Sequence, residues 1–140
     1  MEGIATLVRI YRTRLNDARR ALADLNRERD IILGESARLV GQVAAEKLIA
    51  ATSWEANTAF ANFLNVMTTR RAAMNFQLND VEGRLGEAND YIATLFRELK
   101  KYELTQAQRE LEKTREADRR EQIELDELGL DMYRRREAAR

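Results

Sequence analysis

The apolar residues of this chain recur in alternating steps of four and three along two long segments, and the two series mirror each other about a point near residue 51. The first runs Ile4, Val8, Tyr11, Leu15, Ala18, Leu22, Leu25, Arg29, Ile32, Ser36, Leu39, Val43. The second runs Phe60, Leu64, Met67, Arg71, Met74, Leu78, Val81, Leu85, Ala88, Ile92, Leu95, Leu99, Tyr102. A seam with a 3.5-residue period marks a supercoiled helix that needs a partner helix. Because the steps mirror, folding the chain back sets Ile4 against Leu99, Val8 against Leu95, Tyr11 against Ile92, Leu22 against Val81 and Val43 against Phe60, each pair of numbers summing to 103. The sequence therefore predicts an all-α fold, a two-helix antiparallel coiled-coil hairpin with a longer, protruding C-terminal helix.

Composition agrees. The chain of 140 residues has the length of one domain; it is 34% charged and contains no proline and no cysteine, a composition of long helices. Nothing forces a break in the helical pattern, and without cysteine there is no disulfide framework, so an intracellular setting is expected. Met1 and Glu2 lead directly into the pattern without a secretion signal, and no apolar run approaches the ~20 residues of a membrane span. Net charge is zero, which argues against nucleic acid as a partner. Residues 1–29 hold seven Lys/Arg against four Asp/Glu, and residues 105–140 hold nine against ten, a pattern of solvated helix faces.

Helix one is expected over about residues 3–49, a turn at 50–53, and helix two from 54 to about 130, all in one hairpin spanning 1–140. Thr52 followed by Glu55 fits a capping box at the start of helix two. Sliding the register by a heptad would move the turn centre to about residue 48 or 55, against that capping signal. Beyond Tyr102 the seam positions become Gln106, Arg109, Lys113, Glu116 and Arg120, so the stripe ends where helix one runs out. Residues 105–140 are expected to protrude as a lone helix, held by good helix formers and local charge pairs and fraying at its far end, where Gly129 weakens it. Arg29 and Arg71 fall on seam positions opposite Met74 and Ile32. Their stems are expected to lie along the seam while their guanidinium groups reach water, Glu28 or Glu35. Gly34 and Gly41 make the half near the turn the less rigid one.

Chemistry is sparse. There is no histidine and no cysteine, which removes the commonest general base, nucleophile and transition-metal ligands. The glycines form no phosphate-binding loop. Glu82, Glu87 and Asp90 lie near one another in sequence, but on an open, solvated two-helix surface they form no enclosed site for catalysis. The reading is that this is not an enzyme and needs no cofactor or metal. The positive signal is apolar residues off the seam: Leu33, Val40, Phe63 and Phe76 in the half near the turn, and Trp54 at the turn, a pattern of a partner site. A second group, Leu104, Leu111, Ile123, Leu125, Leu128, Leu130 and Met132, belongs to the protruding helix and fits either self-association or docking into a hole in another protein.

The stretch Arg119-Arg120-Glu121-Gln122-Ile123-Glu124-Leu125-Asp126-Glu127-Leu128, a basic pair followed by a Glu-x-x-x-Leu-Asp-Glu-like run, resembles the C-terminal region of the flagellar export protein FliJ family. The stretch Leu95-Phe96-Arg97-Glu98-Leu99-Lys100-Lys101-Tyr102-Glu103 is similar to that family's Lys-rich joint, and length and hairpin architecture match over essentially the whole chain. The resemblance implies a soluble component of the flagellar type III export apparatus, serving motility. Its helix ends would enter the central hole of the hexameric flagellar export ATPase as a stalk. Its hairpin would contact the cytoplasmic domain of the export gate, and it would handle export chaperones. It implies a cytoplasmic location, peripheral to the inner membrane through partners only. Arg119, Arg120, Glu121, Asp126 and Glu127 become ATPase-facing candidates, and Leu33, Val40, Phe63 and Phe76 gate-facing candidates. The alternatives are the equivalent stalk of a virulence type III system and a structural coiled-coil spacer with no ATPase partner.

Overall fold

A computed structural model of the chain describes residues 2–140. Two helices, α1 (Glu2–Ala50) and α2 (Trp54–Ala139), pack against each other as an all-α antiparallel hairpin joined by residues 51–53, and the described residues contain no strand. With no proline in the chain, the backbone hydrogen-bond ladder of each helix is uninterrupted. α2 runs to Ala139, past the expected end near 130. Gly129 is one unfavourable residue costing about 1 kcal/mol, and the Asp131–Arg135 pair at 3.2 Å supports the turn that follows it.

The turn is capped differently from the sequence expectation. Thr52 belongs to the end of α1: its backbone N–H donates to the Ile49 carbonyl at 3.0 Å and its hydroxyl donates to the same oxygen at 2.6 Å. Ser53 caps α2, with its Oγ accepting from the Ala56 N–H at 3.1 Å and its carbonyl accepting the first helical bond from Asn57. The capping box on Thr52 is thus corrected by one residue. Serine satisfies the orphan donor of the first turn, while threonine answers an orphan carbonyl of the preceding helix.

The described chain forms two compact units, Met1–Arg12 with Arg97–Arg140, and Thr13–Phe96. In the larger unit Leu15, Ala18, Ile32, Leu39, Ala50, Met67, Met74, Val81, Leu85 and Leu95 are buried. Ile32, Val81 and Leu85 form one cluster, flanked by Leu22, Leu25 and Leu78; Leu39, Met67 and Met74 form another, flanked by Val43 and Phe63. In the smaller unit Val8 and Leu99 are buried, and the rings of Tyr11 and Tyr102 lie 5.3 Å apart. Most of the expected seam is therefore the buried stripe. Its exceptions are Leu64, which is 40% exposed, and Arg71, also exposed.

The register differs from the one summing to 103. In the smaller unit Tyr11 stands against Tyr102, ten residues beyond Ile92, and Arg12 reaches Glu103 at 3.4 Å. In the larger unit Glu28 meets Arg84 at 2.8 Å, nine residues beyond the expected Asn75, and Val81 clusters with Ile32 while Leu22 flanks the same cluster. Nearer the turn the displacement is smaller, with Leu39 clustered with Met67 as well as Met74 and with Val43 and Phe63 packed against them. A regular seam fixes which face is buried and leaves the slide free. The Arg29 guanidinium reaches Asp30 at 3.4 Å, while Glu28 is paired with Arg84. Arg71 borders a groove with Val43 and Leu39 instead of facing Ile32. The slide also lengthens the paired part of α2: Thr105 and Gln106 are half-buried, and every residue from 107 onward is exposed.

Candidate functional site

The expected gate-facing residues separate onto different surfaces. Phe76 is 75% exposed and shares a shallow cleft with Ile31, Glu28, Glu35, Gln77, Asp80 and Arg84. Val40 lies in another groove, formed by Leu39 and Val43 of α1 and Leu64, Met67, Thr68 and Arg71 of α2. The two depressions have no residue in common. Leu33 is exposed and seven residues before Val40, hence on the same face of α1. Phe63 is a correction: it is half-buried, packed on the Leu39, Met67 and Met74 cluster with its ring 6.4 Å from Phe60. Phe63 thus takes an inward place, while the neighbouring Leu64 lies exposed at the groove.

Around Phe76 the electrostatics are organised by Arg84, whose Nε meets Asp80 at 3.1 Å while an Nη meets Glu28 on the other helix at 2.8 Å. The hydrogen bond that Arg84 donates to the Glu28 carboxylate raises the Arg84 pKa above its ordinary value, against a smaller opposing effect of desolvation. Glu35 borders the same cleft without such a partner. Ile31, 61% exposed beside Phe76, was missed by the sequence reading. Its signal was its placement three residues from both Glu28 and Gly34 on an otherwise polar face. At the turn, Leu48, Ile49 and Trp54 are all exposed, Trp54 at 80%.

The expected ATPase-facing residues all lie on the exposed part of α2. At 100° per residue Arg119 and Asp126 share one face, Arg120 and Glu127 the next, and Glu121 points away from both pairs. Arg120 is held by Glu116 at 2.8 Å and Asp126 accepts from Gln122 Nε2 at 3.1 Å, both with i,i+4 spacing. The apolar residues of the same stretch divide likewise. Leu125, Leu128 and Met132 fall on one side of the helix and Ile123, Leu130 and Tyr133 on the other, all of them exposed. The sequence reading gathered these leucines into one group and left out Tyr133.

Among the described residues no group of His, Cys, Asp and Glu side chains could hold a metal ion, and no helix is long and apolar enough to cross a membrane. Comparison with curated proteins and with solved structures finds no match to this chain. A family model described as Flagellar FliJ protein matches residues 1–138. The chain belongs to the flagellar FliJ family.

Proposed function

We propose that this protein, a non-catalytic flagellar export component by family, is the central stalk of the export ATPase hexamer. In this reading the free part of α2 enters the ring, the hairpin reaches the cytoplasmic domain of the export gate, and export chaperones are handled on the same molecule. Its place is the cytoplasmic side of the inner membrane, held there through partners.

One observation carries the reading. From residue 107 to Ala139 every residue of α2 is exposed, with no packing partner among the described residues, yet residues 123–133 present apolar side chains on two opposite sides. A helix lying in a surface groove needs one apolar stripe. One with two is covered from both sides, as it is when surrounded. Arg119, Arg120, Glu121 and Glu127 then supply charged contacts around the circumference, and Phe76 and Val40 remain for the gate.

The test is stimulation of the cognate ATPase by chains with and without residues 107–140. Since every residue removed is exposed, the midpoint of hairpin unfolding should be nearly unchanged while stimulation is lost. Charge reversal at Arg119 and Arg120 should reproduce part of the loss, more so at low salt. Full stimulation by the shortened chain would refute the stalk assignment. Concentration-dependent association of the intact chain with no effect on the ATPase would favour a spacer.

A further inference from the structure

The groove formed by Val40 of α1 and by Leu64, Thr68 and Arg71 of α2 contains no carboxylate. Its apolar walls are open, with Val40 53% and Leu64 40% exposed. Leu33 and Lys47 stand one heptad to either side of Val40 and extend the same face of α1. Between Glu35 and Asp80 the chain holds only two carboxylates, Glu46 and Glu55, against Arg38, Lys47, Arg70 and Arg71. At the helical repeat Glu46 lies about 240° round from Val40 and Glu55 about 180° round from Leu64, so both point off the groove. Lys47 and Arg71 are exposed, and neither makes an ion pair among the described residues. The surface is an apolar floor bordered by two free cations.

The same sequence contains a helix of the opposite character. Residues 121–132 of α2 hold Glu121, Glu124, Asp126, Glu127 and Asp131 and no Lys or Arg, and all are exposed. Along them Leu125, Leu128 and Met132 make one apolar stripe, each more than half exposed. Glu121 continues that stripe one turn earlier, and Glu124 borders it beside Leu128. Neither of these two carboxylates is in an ion pair among the described residues. Lengths agree as well: residues 121–132 span about 17 Å at the helical rise, and Leu33 to Lys47 about 21 Å. Leu64, Arg71 and residues 121–132 all belong to the single helix α2, so a segment laid along this groove comes from another molecule.

We propose that the groove between Val40 and Leu64 receives residues 121–132 of a second copy of this chain, with Leu125, Leu128 and Met132 inside it and Glu121 and Glu124 neutralising Lys47 and Arg71. This is a helix in a groove, with apolar anchors for affinity and charge for orientation. About three turns of helix bury less than the ~1,200 Å² of a stable interface, so the association is weak and reversible. The inference goes beyond the stalk reading and does not depend on it. Where both hold, self-association and ring entry compete for Glu121.

The experiment mixes two full-length chains, which have no cysteine of their own. One carries Val40→Cys, and the other carries Leu128→Cys with a tag that separates it by size. The disulfide between them is read after mild oxidation at roughly 100 µM protein and low salt. Ile31→Cys, exposed in the other cleft, replaces Val40→Cys as the control. The groove pair is expected to give about tenfold more disulfide than the control pair. Lys47→Glu with Arg71→Glu in the first chain, or Glu121→Lys with Glu124→Lys in the second, should each lower that yield about fivefold, the scale of exposed ion pairs reversed in sign. Both reversals together should restore it. The cysteine-free chain should sediment above the mass of one molecule at the same concentration, and less so as salt rises. Equal yields from Val40 and Ile31, no restoration by the double reversal, or sedimentation as a single molecule would each overturn the proposal.

Discussion

Val81 is the most deeply buried large side chain, at 1% exposure, in the cluster with Ile32 and Leu85. Val81→Ala removes two methyl groups, worth ~0.8 kcal/mol each for transfer alone. The space left lies between two helices with only one layer of side chains across it, so neighbours relax into it partly and the total should be about 2 kcal/mol. Phe76→Ala is the control on the same helix. With 75% of that residue exposed, only about a quarter of a full phenylalanine burial is lost, roughly 0.5 kcal/mol. In urea titrations followed by circular dichroism at 222 nm, a denaturant slope of about 2 kcal/mol per molar turns these values into midpoint shifts of about 1 M and about 0.25 M. Residues from 107 onward contribute helical signal outside the cooperative transition, so the midpoint and not the amplitude is the quantity to compare. Equal shifts for the two variants would refute the placement of the seam and remove the reason for treating Phe76 as a partner surface.

Gly34 and Gly41 lie inside α1, and a Cβ built at either meets nothing within 4 Å. Gly34→Ala with Gly41→Ala should therefore stabilise by about 1–2 kcal/mol through helix propensity, seen as a higher urea midpoint with an unchanged slope. Burial pushes the Tyr102 phenol above its ordinary range, reinforced by the nearby Tyr11 and Glu98. A raised folded-state pKa favours the neutral phenol, so its contribution is complete below the unfolded value near ~10 and is lost as pH rises through the folded value. Thermal midpoints should fall above about pH 10, and Tyr102→Phe should reduce that fall; an unchanged alkaline fall in the variant would refute the assignment.

What the sequence made legible was the phase of each helix, because apolar spacing reports directly on which face leaves water. Leu15, Ile32, Val81 and Leu95, picked out by spacing alone, are all buried. The slide was not legible. A repeating seam scores equally well at each offset that keeps its phase, and the ion pairs that mark the observed offset, Glu28 with Arg84 and Arg12 with Glu103, carry no periodic signal. The cap was misplaced for a similar reason: Thr52 and Ser53 are both good cap residues, and only backbone geometry shows that one ends α1 and the other starts α2. The off-seam apolar residues were legible as exposed at Leu33, Val40 and Phe76. Phe63, one residue from the expected seam position Leu64, is half-buried against Leu39, Met67 and Met74, a one-residue difference in the inward place that the apolar spacing alone does not resolve.

The free part of α2 bears on how binding would work. A lone helix in water is marginal, yet α2 stays helical to Ala139. It is rich in Glu, Arg, Lys, Gln and Ala over residues 105–122, all favourable helix formers. Arg120 with Glu116, Gln122 with Asp126, and Arg135 with Asp131 add local i,i+4 contacts, each worth a few tenths of a kcal/mol. Those contacts leave Arg119, Glu121 and Glu127 uncommitted and all the apolar side chains of the segment exposed. A partner thus meets a helix already formed, and the ordering cost that a disordered segment would impose, roughly 1–2 kcal/mol per residue of backbone, is largely absent. Sequence in this segment therefore serves two separable ends: propensity and i,i+4 pairs keep the helix, while the two apolar sides and the uncommitted charges remain available to a surrounding surface.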